Sequence, residues 1–162
     1  MSDVTLNLVR LNICKLGCHA AFDTSSAMIS GPKPLMDAMT QELNVAIDCS
    51  NWDDLPDLGF ELGGAVFNLD KYQYAKRTSE GCFPQLEASE DGQTEGSSTI
   101  FLGVPFLTRY VTVYDRVFLR MGLAFAVHAS EPTGESMEGA RKRLMGRPSL
   151  TRVPDTPEVD SE

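Results

Sequence analysis

Histidine is nearly missing from this sequence, and positive charge is scarce. The two histidines, His19 and His128, stand far apart and show no ligand spacing with the cysteines, which weakens the case for a zinc pattern. Fourteen basic side chains against 23 acidic ones leave a net charge of −9. That balance argues against nucleic acid or an anionic membrane as the default partner. Long apolar runs are missing as well: Ile100–Leu107 is too short to span a bilayer, and Val117–Val127 is interrupted by Arg120. The opening Met1-Ser2-Asp3-Val4 lacks the basic and apolar regions of a signal peptide, so as written nothing targets the chain. What remains is a chain of 162 residues with ordinary apolar content, enough for one domain with a real core.

Four cysteines are present. Cys14 and Cys18 flank a three-residue Lys15-Leu16-Gly17 turn, whereas Cys49 and Cys82 lie in separate segments. Disulfides, a metal site and free thiols all stay open on spacing alone.

The periodicity is that of short strands. Val4–Ile13 alternates with a phase shift, which predicts one strand bent or bulged near Arg10. The Cys14–Cys18 turn is expected to lead as a hairpin into Ala20–Phe22, a short buried strand. That strand delivers Asp23 to a turn of small hydroxyl residues, Thr24, Ser25 and Ser26, before Gly31-Pro32 breaks the unit. Such hydroxyls are placed to hydrogen-bond a carboxylate, which by itself is ordinary turn chemistry. Leu35–Leu43 has helical spacing with proline at its start.

Asp48, Asp53, Asp54 and Asp57 surround Trp52 without the spacing of a calcium loop, so a solvated loop is expected. Leu58–Leu62 and Ala65–Leu69 around Gly63-Gly64 predict a hairpin. Lys71–Lys76 suits either a turn of helix or an extended stretch. Phe83–Thr99 is polar and acidic, which predicts a long loop. Ile100–Gly103, Phe106–Asp115 and Phe118–Val127 predict three further strands. From His128 hydrophobicity collapses, so residues 128–162 are expected to form a disordered tail. Its Arg141-Lys142-Arg143 cluster matches basophilic kinase or docking patterns that arise easily by chance.

Taken together, these residues resemble the C-terminal lobe of a pepsin-like aspartic protease, with no N-terminal lobe, from about Val4 to about Ala126. The family's second active-site motif, Asp-Thr-Gly followed by Thr or Ser and an apolar pair, then Gly-Pro, is similar to Asp23-Thr24-Ser25-Ser26-Ala27-Met28-Ile29 and Gly31-Pro32. Its small Cys-x-x-x-Cys loop matches Cys14 and Cys18. Leu55-Pro56-Asp57-Leu58-Gly59-Phe60, the Gly63-Gly64 hairpin, Leu102-Gly103, Tyr110, Val113-Tyr114-Asp115 and Met121-Gly122-Leu123-Ala124 resemble later segments of that lobe.

The resemblance implies a mainly β single lobe over residues 1–127 with one or two short helices, and disulfides Cys14–Cys18 and Cys49–Cys82. It implies an aspartic endopeptidase in partial form, with Asp23 catalytic and Thr24, Ser25 and Ser26 supporting its loop. Aspartic proteolysis needs a second carboxylate, and no other Asp-Thr-Gly or Asp-Ser-Gly occurs here. The expected partners are therefore a peptide or protein substrate, together with a complementary N-terminal lobe or a second copy of the chain. No cofactor or metal is implied, and the cysteines point to a secretory, vacuolar or extracellular setting. A non-catalytic peptide-binding module is the alternative. Ser25 stands where the family has glycine, and its side chain is expected to obstruct close approach between paired carboxylates, the alternative being an extra hydrogen bond from its hydroxyl.

Overall fold

The first two strands come from a tighter turn than the pattern suggests. In the computed structural model, which describes residues 1–15, 17–89 and 98–127 and the backbone of 151–152, β1 (Asp3–Leu6) and β2 (Val9–Arg10) pair as a hairpin. The expected single bent strand is thereby corrected. Asn7 and Leu8 take φ of 47° and 68°, the left-handed pair that a two-residue hairpin turn requires, and they reverse the chain. Asn7 suits that position, whereas leucine tolerates it only at a cost. The segment after β2 is folded back by Asp3. Its buried carboxylate accepts the backbone N–H groups of Val4 (2.9 Å), Asn12 (2.7 Å), Ile13 (3.2 Å) and Cys14 (3.2 Å).

A disulfide joins Cys14 to Cys18, and β3 (His19–Phe22) starts directly after it. Next come β4 (Ile29–Gly31) and α1 (Lys33–Leu43), which carries proline in its first turn and buries Met36, Met39 and Leu43. The aspartate-rich loop is not wholly solvated, because a 3-10 turn at Trp52–Asp54 buries Trp52. β5 (Leu58–Leu62) and β6 (Ala65–Leu69) form the expected Gly-Gly hairpin, with φ of 56° and 83° at Gly63 and Gly64.

Lys71–Lys76 takes both forms in succession. α2 (Lys71–Tyr74) is closed by an Asp70–Gln73 capping box, and β7 (Ala75–Thr78) follows. β8 (Gly81–Pro84) and β9 (Leu86–Ala88) correct the first part of the expected long loop. They are held by main-chain pairing, β8 to β7 and β9 to β4, which composition does not register. Residues 90–97 lie outside the described residues. β10 (Thr99–Leu102) is the expected core strand, with Ile100 and Leu102 fully buried. The strand expected from Phe106 begins later. Pro105 in a first helical turn directs Val104–Leu107 into α3, and β11 (Tyr110–Asp115) follows. β12 (Arg120–Phe125) pairs with β11, and β13 (Thr151–Arg152) adds to β12. The rest of 128–162, His128 and the basic cluster included, lies outside the described residues.

The molecule is thus mainly β, as a single lobe, with sheets β2-β1-β5-β6, β3-β10-β4-β9, β11-β12-β13 and β7-β8. The expected Cys-turn hairpin into β3 does not form. β3 pairs instead in parallel with β10, at the edge of its sheet, and is half-buried rather than buried. Phe106 is the hub of the core. Its ring centroid lies 4.8 Å from Tyr110, 5.6 Å from Phe22 and 5.9 Å from Phe60. A second disulfide, Cys49–Cys82, spans 33 positions and anchors β8, a constraint worth about 3–4 kcal/mol in the chain-entropy model.

Candidate active site

Asp23 is the first residue beyond β3, and its position is set by strand pairing. Its backbone N–H donates to the Leu102 carbonyl at 3.1 Å, continuing the β3–β10 ladder by one more bond. The turn that follows is then tied to the next residues of the same support, since Val104 N–H donates to the Ser26 carbonyl at 2.9 Å. Gly103 lies between these two anchors. A Cβ at Gly103 would collide with the backbone carbonyls of Met28 and Ser26, so only glycine lets the loop seat against the β10–α3 junction. The loop therefore rests on three consecutive residues, Leu102, Gly103 and Val104.

Around the carboxylate the hydroxyls divide the work. Ser25 donates twice to Oδ1, from its hydroxyl at 2.7 Å and from its backbone N–H at 2.8 Å. Ser26 donates its hydroxyl to Oδ2 at 2.8 Å. Each of these bonds favours the ionised form, so the Asp23 carboxyl is held below its ordinary value of 3.8. The Ser25 hydroxyl is the largest cause, followed by the Ser25 N–H and then the Ser26 hydroxyl. Asp23 is half-buried, and Ser25 is exposed. The arrangement is a half-buried, negatively charged carboxylate that already accepts three hydrogen bonds, with its remaining acceptor capacity mainly on Oδ2. Chemically it suits accepting a proton from a bound water or holding a polarised one.

Of the residues singled out by sequence, Asp23, Ser25 and Ser26 converge. Thr24 is exposed and makes no hydrogen bond to the carboxylate. Cys14–Cys18 fixes the entry to β3, whereas Cys49–Cys82 braces a distant part of the lobe. Asp48, Asp53, Asp54 and Asp57 do not join the site, and among the described residues no group of three or more His, Cys, Asp or Glu side chains could hold a metal. Sequence reading placed Leu102-Gly103 in a closing strand and missed its part in the site. The signal was a glycine directly after two buried strand residues, which often marks a close backbone approach.

The model of the eukaryotic aspartyl protease family matches residues 1–126. The chain belongs to that family. Among similar aspartyl proteases, cathepsin D of Clupea harengus is 32% identical over 127 residues, covering 71% of this chain and 32% of that protein. Renin of Rattus norvegicus is 30% identical over 126 residues, covering 70% of this chain and 31% of the relative. Pepsin A of Sus scrofa is 29% identical over 119 residues, covering 68% and 31% respectively. This aspartyl protease chain thus spans about a third of the length of the curated relatives it matches.

Proposed function

We propose that this chain is the C-terminal lobe of an aspartic endopeptidase and supplies one of its two catalytic carboxylates, Asp23. The observation that carries this reading is the mount of Asp23, ionised by Ser25 and Ser26 and locked by backbone bonds to Leu102 and Val104. In such a reaction two carboxylates share one proton across a bound water. One takes a proton from the water as it attacks the peptide carbonyl, and the other donates to the substrate. The pair titrates as a unit, so the low Asp23 value describes the half-site and not the assembled dyad.

The second carboxylate comes from a complementary N-terminal lobe, which is consistent with a chain spanning a third of its relatives. A hairpin whose apolar side chains are exposed among the described residues agrees with that division. Val111, Val113, Phe118, Leu119 and Phe125 of the β11–β12 hairpin all stand exposed. The peptide substrate lies between the two lobes, and the disulfides fit a secreted or lysosomal protein.

The alternative, a peptide-binding module without catalysis, draws on Ser25. The hydroxyl of this exposed residue occupies an Oδ1 lone pair of Asp23 that is then not free for a proton shared with a second carboxylate. One experiment separates the two. The chain, alone and combined with a pepsin-type N-terminal lobe, is assayed on denatured haemoglobin at acid pH. The protease reading expects no cleavage by the chain alone, and pepstatin-sensitive cleavage by the combination that disappears in Asp23→Asn. Peptide binding by a combination that cleaves nothing would establish the module instead.

A further inference from the structure

A groove on the side of the lobe formed by α2, β7 and the α3–β11 junction concentrates the cations of an otherwise acidic chain. It is made of two hollows that meet at Tyr72 and Gln85, residues that line both. The first hollow, about 230 Å³, is bounded by Arg109 with Gln73 and Thr108. The second, about 490 Å³, is bounded by Lys76 and Arg77 over Trp52. Among the described residues Asp53 is the one carboxylate on the lining, and it is engaged by Lys71 at 3.1 Å.

Neither Arg77 nor Arg109 nor Lys76 makes an ion pair among the described residues, in a protein whose net charge is −9. Both arginines are nevertheless held by aromatic rings. The Arg77 guanidinium sits 5.9 Å from the centre of Trp52, and that of Arg109 sits 5.2 Å from the centre of Phe125. Arg109 Nε is buried with no acceptor. Each guanidinium is oriented, so the outer nitrogens of its planar fork can meet an incoming carboxylate with little further loss of side-chain freedom, while the buried Arg109 Nε lies out of a ligand's reach. Between the two cationic ends, Tyr72 stands 71% exposed. Its ring offers an apolar rest for the stem of a bound side chain. Asp23, Ser25 and Ser26 line neither hollow, although Val104, on which the Asp23 loop rests, lines the first.

We propose that this groove binds an acidic segment of another polypeptide, with one carboxylate on Arg109 and another on Arg77 and Lys76. Spacing favours a peptide over a lone anion, since two separate cationic ends are joined by an aromatic platform. The site does not depend on Asp23 being catalytic.

Trp52 is the only tryptophan of the chain and floors the second hollow, so its emission reports occupancy. The full chain is titrated with hexaglutamate, with hexalysine and a sulfated heparin disaccharide as comparison ligands. Hexaglutamate is expected to shift Trp52 emission, with affinity falling as salt is raised. Arg109→Gln and Arg77→Gln are each expected to weaken it about tenfold. Arg109→Lys, which keeps the charge and loses the fork, is expected to fall between, and Lys33→Gln, outside the groove, to leave it unchanged. Superimposable circular dichroism spectra establish that each variant is folded. Binding unaffected by both arginine variants, no binding at all, or tighter binding of the disaccharide than of the peptide would each overturn the proposal.

Discussion

Ser25 decides how Asp23 behaves as an acid. Its two bonds to Oδ1 are the main reason the carboxyl titrates below 3.8. Replacing Ser25 by alanine removes the hydroxyl bond and keeps the backbone one, so the Asp23 value should rise towards its ordinary position without reaching it. A carbon-13 carboxyl titration of the folded chain measures this directly, and an unmoved midpoint would contradict the assignment of cause. The linkage sign follows from the depression. The bonds to ionised Asp23 stabilise the fold above the ordinary carboxyl value and are lost as pH drops through the folded one. Gly103→Ala acts through the backbone. The new methyl group meets two carbonyls that cannot swing aside, and displacement of the 26–28 loop should cost about 1–3 kcal/mol in urea denaturation. Wild-type stability in that variant would mean that the loop is free to move.

At the level of elements, backbone pairing accounts for most of what patterning did not reveal. The Gly-Gly hairpin, the Pro-led helix α1 and the core strand β10 were legible because each has a local signature in residue type or period. β3 was legible as a strand, but its partner was not, since parallel pairing with β10 depends on residues far along the chain. The β1–β2 reversal hid because Leu8 is not a turn residue, and β9 hid because its three residues lie within a stretch whose composition is polar overall. Asp23 and its serines could be read in order, whereas the Gly103 seat exists only after folding. Asp3 shows the same division. Nothing near it in sequence marks a buried carboxylate, yet it gathers four main-chain donors and shapes the 10–14 turn. Asp3→Asn keeps the size and loses the charge and half of the acceptors. A loss of about 2–4 kcal/mol in thermal or urea unfolding is expected. A loss below about 0.5 kcal/mol, typical of a surface change, would show that the turn holds itself.

On the scale of the whole molecule, charge and apolar surface pull in opposite directions. The net charge of −9 keeps copies apart, while the exposed β11–β12 side chains favour contact. Expressed by itself, the chain should therefore associate reversibly, and more strongly as salt screens the repulsion. Sedimentation velocity at low and high ionic strength tests this. A single monomeric species at both would show that the hairpin is not adhesive. Lys or Glu at Val113 and Phe118 should suppress the association without altering the Asp23 loop, which makes no hydrogen bond to that hairpin.

The docking of β3 on β10 also dictates when the aspartate can take its place. Thr99 stands opposite His19, 80 positions further on in the chain. During synthesis at about 5–20 residues per second, several seconds separate the emergence of Asp23 from that of its seat. A ribosome stalled before residue 99 would display the carboxylate on an unanchored peptide. Seating of the Asp23 loop is thus a late event in the life of the nascent chain, reached only once residues 99–104 have been made.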